Sequence, residues 1–178
     1  MHKAAIMTAL VALMSLTALA KDMTPDEIQY KADFIIKIID YITWPVKAGN
    51  AEGQVAIGVV GESPLTPKLR ELAAAASGGG SKITVTTVSP DSDLTAYQIL
   101  FLTTEDKTAL AKILKKVENS PVLTISDAYY FARHGVMVNF YSEEVDGKVK
   151  VKFEVNQITL GMAGLKMSSK LLKLATLI

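Results

Sequence analysis

Residues 98–126 read QILFLTTEDKTALAKILKKVENSPVLTIS, and this stretch decides the fold class. Two short runs, 98–103 (QILFLT) and 121–126 (PVLTIS), have the length and apolar density of covered strands. Between them Leu110, Ile113, Leu114 and Val117 recur at three- and four-residue steps, the spacing of one buried helix face. Thr103 or Thr104 is placed to open that helix. Strand, helix and strand in succession make a crossover unit, and a crossover implies parallel strands.

The same rhythm extends upstream. Residues 55–60 (VAIGVV) form an apolar run bounded by glycines, which reads as a central strand. Ser63-Pro64 and Thr66-Pro67 offer two alternative caps for a helix through Ala76. Residues 77–81 (SGGGS) read as a flexible loop, and 83–88 alternates as a second strand. Earlier still, Thr24-Pro25-Asp26-Glu27 combines a capping threonine, a proline suited to the first helical position and a glutamate that closes a capping box. Ile28, Ala32, Ile35, Ile39 and Ile42 follow at helical steps. Phe34, Ile36, Ile38 and Tyr41 widen that stripe, so the helix is predicted to be mostly covered. It is expected to end near Trp44-Pro45, because a residue before proline avoids helical geometry.

Downstream the pattern changes. Residues 136–141 and 149–155 read as strands joined through Asp146-Gly147, a good hairpin turn. Val149, Val151, Phe153 and Val155 face one side; Lys148, Lys150, Lys152 and Glu154 face the other, so the hairpin reads as a sheet edge with one wet face. Asn156 is placed to cap a helix that stops at Gly164. Ser168 or Ser169 caps a last short helix carrying Leu171, Leu172, Leu174 and Ala175. The predicted architecture is an α/β layered sandwich. It has a mixed sheet of about five to six strands flanked by helices, with a C-terminal antiparallel hairpin.

Residues 1–20, MHKAAIMTALVALMSLTALA, have the order of an export signal: Lys3, an apolar run, then Ala18-Leu19-Ala20. A membrane anchor needs about 20 apolar residues; this run is shorter and is diluted by Thr8, Ser15 and Thr17. Cleavage after Ala20 is expected, which in a Gram-negative host sends the protein to the periplasm. Residues 21–178 then form a single domain. Lys3 carries the only formal charge of the first twenty residues, so the remainder holds 18 basic and 18 acidic residues. That balance gives no reason to expect nucleic acid as a partner. The chain has no cysteine, which excludes thiol chemistry and sulfur-ligated metal.

The residues offer little chemistry. His134 is the single histidine after the export signal, and no pair of histidines stands at metal-ligand spacing. Ser126-Asp127 ends a strand, but no G-x-S-x-G elbow surrounds it, and His134 would have to serve as base alone. The glycines at 78–80 lack the lysine and serine of a phosphate loop. No catalytic, cofactor or metal residue is therefore assigned. Trp44 reads as a core cap or an interface anchor. Tyr129, Tyr130 and Phe131, followed by Arg133, lie in a loop before a strand and read as packed partly against the core, with partner contact as the alternative. Trp44, Tyr129, Tyr130 and Arg133 are the candidate partner contacts.

Five segments carry a resemblance: 31–34 (KADF) through 41–45 (YITWP); 57–61 (IGVVG); 121–127 (PVLTISD); 135–140 (GVMVNF) with 153–156 (FEVN); and 164–175 (GLKMSSKLLKLA). In this order and spacing the chain resembles the YfiR-like family of periplasmic proteins, over nearly all of residues 21–178. The resemblance implies an α/β sandwich that tends to dimerise. It also implies a repressor that restrains the periplasmic region of an inner-membrane diguanylate cyclase, with an outer-membrane OmpA-like lipoprotein able to sequester it. The disulfide-based redox sensitivity of the family's best-known member has no counterpart here, for want of cysteine. The other reading carried forward is a periplasmic small-ligand binding module.

Overall fold

The structure, a computed structural model, describes residues 23–45, 53–78 and 82–178. The predicted export segment lies outside them, as do Gly79, Gly80 and Ser81 of the predicted loop. Along the chain come α1 (Pro25–Lys37), a 3-10 turn (Ile38–Tyr41), β1 (Ile42–Thr43), β2 (Gln54–Val60), α2 (Thr66–Ala76) and β3 (Lys82–Val88). Then follow β4 (Ile99–Leu102), α3 (Lys107–Lys116), β5 (Leu123–Ser126), a 3-10 turn (Phe131–His134), β6 (Val138–Val145) and β7 (Lys148–Val155). The chain closes with α4 (Gln157–Met162), β8 (Lys166–Met167), α5 (Ser169–Leu172) and β9 (Thr176–Leu177).

Seven strands form one sheet in the order β3-β2-β4-β5-β6-β7-β9, parallel throughout except for the β6–β7 hairpin. β1 and β8 make a separate antiparallel pair. Successive residues of a strand point to opposite faces, and here both faces are covered. Ile99 and Phe101 enter a cluster with Ile35 of α1 and Leu69 of α2. Leu100 and Leu102 enter a second cluster with Leu110 and Ile113 of α3. That is why Ile99–Leu102 reads as an unbroken apolar run. Asp146 and Gly147 both adopt positive φ (54° and 71°), the geometry a two-residue hairpin turn requires.

The α/β sandwich is as predicted, and four local details differ. The sheet has seven strands because β9, two residues long, pairs with β7 and covers one end of the expected sheet edge. α1 forms its capping box at Thr24 and Glu27, but tightens after Lys37 and gives way to β1 before Trp44 is reached. Ser63 accepts the Thr66 N–H through its main-chain carbonyl (3.1 Å), and the N-cap position, Leu65, has no side-chain cap. α3 starts at Asp106, whose carboxylate accepts the N–H groups of Thr108 and Ala109 (2.6 and 3.1 Å). Thr103 is used otherwise: its hydroxyl donates to the Val60 carbonyl (2.7 Å), tying β4 to β2.

Candidate functional site

The segment leaving β5 is the most structured of the loops. Ser126 is fully buried; its hydroxyl donates to the Leu102 carbonyl (3.1 Å) and accepts the Ala128 N–H (3.2 Å). Asp127 turns the other way, toward α1, and meets Lys31 Nζ at 2.8 Å. Phe131 then buries in the cluster on the α3 side of the sheet and holds the loop down. That anchoring forces the residues before it outward. Tyr129 is 77% exposed and Tyr130 46%. Tyr130 adopts φ 61°, a left-handed conformation that costs energy in a residue with a side chain. Gly135, at φ 101°, turns the chain into β6.

These constraints gather three of the four predicted contact residues. The rings of Tyr129 and Tyr130 lie with centroids 3.8 Å apart. The Arg133 guanidinium sits 5.3 Å from the centre of the Tyr130 ring, within reach of a cation–π attraction. Its neighbour Tyr130, through a side-chain hydrogen bond, raises the Tyr129 hydroxyl above its ordinary pKa. Trp44 does not join them. It follows β1, is half-buried against the main core cluster, and its indole N–H is buried without a partner among the described residues.

Beside the tyrosines lies a cavity of about 460 Å³, lined among others by Lys31, Asp127, Tyr129, Tyr130, Asn139 and Glu154. Lys31 and Asp127 are buried, with side chains 3% and 9% exposed. A lone buried ammonium would be prohibitive, and the carboxylate is what permits it. Asn139 donates from Nδ2 to the carbonyls of Ala128 (3.0 Å) and Phe140 (3.3 Å). Its Oδ1 is buried with no partner among the described residues. At the rim, the Ser142 hydroxyl donates to Glu27 (3.1 Å). Burial pulls the Glu27 pKa upward, but the Thr24 N–H, the Lys31 charge and the Ser142 hydroxyl outweigh it and hold that carboxyl below its ordinary value.

Ser126, Asp127 and His134 do not assemble into a triad: Ser126 faces Leu102, Asp127 faces Lys31, and His134 is exposed beside Phe131. Among the described residues no three His, Cys, Asp or Glu side chains are grouped to hold a metal ion. No helix among them is long and apolar enough to cross a membrane. Sequence reasoning missed the Lys31–Asp127 pair and the unsatisfied Asn139. One signal was present: Lys31 stands between Ile28 and Ile35 on a helix read as mostly covered.

The YfiR/HmsC-like family model matches residues 28–176. Curated proteins gave no match. Among solved structures, the chain is similar to a conserved domain protein from Vibrio cholerae O1 biovar El Tor strain N16961. The TM-score is 0.56 at 10% identity, covering 88% of this chain and 60% of that one. It is also similar to the ABC domain from Streptococcus pneumoniae in complex with L-Trp, with TM-score 0.53 at 12% identity, covering 85% of this chain and 60% of that one. The chain thus spans about three fifths of the length of each, and at these identities the likeness is one of fold.

Proposed function

The chain belongs to the YfiR/HmsC-like family, and from that premise we propose an exported regulatory protein that works by contact. It docks on the periplasmic region of an inner-membrane sensor, such as a diguanylate cyclase, and restrains it. An outer-membrane OmpA-like lipoprotein that competes for the same surface would release the sensor, and the working form is a homodimer. One observation carries the reading: Tyr129, Tyr130 and Arg133 form a single exposed patch on a loop anchored by buried Phe131. Tyrosine and arginine on a rigid support are the residue types that dominate binding energy at interfaces.

The test is affinity for the purified periplasmic region of a sensor encoded beside this gene. Tyr129→Ala and Arg133→Ala are expected to weaken binding by about tenfold each without changing the unfolding midpoint. A folded protein that binds no such region would sink the proposal.

The cavity favours a second reading, a small-ligand module. Its volume falls in the range of small-molecule sites, and the Asn139 oxygen lacks a donor. L-Trp is the first probe, since the pneumococcal domain is in complex with it. Saturable calorimetric binding that Asn139→Ala removes would support this reading, and absence of heat at millimolar ligand would end it for that probe.

A further inference from the structure

β6 is longer than the strand beside it. Its pairing with β5 stops at Ser126 opposite Asn139, whereas its pairing with β7 runs on to Val145 opposite Lys148. From Phe140 onward β6 therefore has a strand neighbour on one edge only. In an antiparallel ladder, successive residues turn their N–H and C=O alternately toward and away from the partner. The Asn139 amide sets the phase. Its Nδ2 bonds both Ala128, which follows β5, and the Phe140 carbonyl, so Phe140 turns away from β7. Ser142 and Glu144 share that phase. Their main-chain N–H and C=O groups meet no partner among the described residues, and both residues are exposed. Phe140 and Ser142 of this edge line the cavity described above, together with Tyr129 and Tyr130.

Charge selects the occupant. On its covered edge β6 already accepts a basic strand: β7 is KVKVKFEV, with Lys150 opposite Glu143 and Lys152 in an ion pair with Glu143. Glu144 has no ion-pair partner among the described residues. Two copies of the chain meeting antiparallel about this segment would bring their Glu143–Glu144 pairs together, and like charges across a ladder repel. We infer that the free edge of β6 at Ser142 and Glu144 accepts a basic extended segment of a partner protein as an added strand. Main-chain hydrogen bonds hold the segment, and the flanking tyrosines pack on its side chains. The inference rests on the docking reading above and names the chemistry of the segment that is held.

The probe is a capped peptide of sequence KVKVKFEV, titrated into the 15N-labelled protein. Saturable shifts centred on the Ser142 and Glu144 amides are expected, together with slower solvent exchange at both. Ser142→Pro removes one outward N–H and leaves the β7 ladder intact, since proline is tolerated on a free strand edge. It should weaken the peptide about tenfold. Ser142→Ala keeps that N–H and should bind like the unaltered protein. Glu144→Lys, which leaves the main chain unchanged, should also weaken the peptide, and the charge-swapped peptide EVEVEFKV should not bind. The inference is overturned by an absence of saturable binding, by shifts centred elsewhere, or by equal affinity for both peptides. Unchanged affinity in both Ser142→Pro and Glu144→Lys would overturn it too. A protein that takes KVKVKFEV at this edge but ignores every sensor region would sink the regulatory reading and leave strand addition standing.

Discussion

β4 and β5 are buried at every position, whereas β6 and β7, each twice as long, bury only five of their sixteen residues. Both pairs belong to one sheet. What separates them is cover. The parallel strands lie between helices on both faces, with α1 and α2 on one side and α3 on the other. The hairpin leaves that shelter past Phe140 and Phe153, where Phe34 of α1 makes its last ring contacts (5.1 and 4.6 Å). Stability therefore resides in the parallel half. The hairpin and the loop beside it are free to carry charge, exposed aromatics and an unpaired edge.

Phe101→Ala strikes the parallel half hardest. Its ring is 1% exposed in the core beneath α1 and α2, and its loss should cost about 3–5 kcal/mol in urea unfolding. A cost below about 1 kcal/mol would break the comparison. Asp127→Ala tests the border between the halves. It strands Lys31 in the interior, and about 3 kcal/mol of destabilisation is expected. Adding Lys31→Met should recover part of that loss, and a double-mutant cycle reads the coupling.

A smaller effect comes from acid. The Glu27 carboxyl is held below its ordinary value of 4.5 in the folded protein. Its contribution is therefore complete above pH 4.5 and is lost as pH falls through the lower, folded value. Glu27→Gln should lower stability modestly near neutrality, change it little below the folded value, and so flatten that section of the stability–pH curve. Smallest of all is Val149→Ala. This residue is 65% exposed near the hairpin tip, and a change within about 0.5 kcal/mol is expected. A larger loss would show that the hairpin contributes to the fold what the comparison denies it.

The parallel half was legible because a strand covered on both faces must be apolar throughout, and a helix covered on one face must repeat at 3.6 residues. The capping residues Thr24 and Asn156 were legible for a local reason: each bonds N–H groups within three positions. β9 was not legible, since two residues carry no period, and only its pairing with β7 makes it a strand. The start of α3 was misplaced because Thr103 and Asp106 are both capping types. Which one caps depends on Val60, on another strand. At the site, Tyr129, Tyr130 and Arg133 could be named as loop residues with exposed potential. Trp44 could not be separated from them until its contacts with the core were seen.

The Lys31–Asp127 contact joins positions 96 apart in the chain, a separation with consequences for folding. α1 carries Lys31 on the same buried face as Ala32 and Ile35. Docking that face before Asp127 is in place would strip water from an unpaired ammonium, at a cost of several kcal/mol. That cost predicts that the helix seats after the end of β5 has formed, although it precedes every strand in sequence. Contacts made after the rate-limiting step slow unfolding rather than speed folding. On that order the ion pair is a latch, and Asp127→Ala is expected to speed unfolding in stopped-flow measurements while leaving the folding rate nearly unchanged.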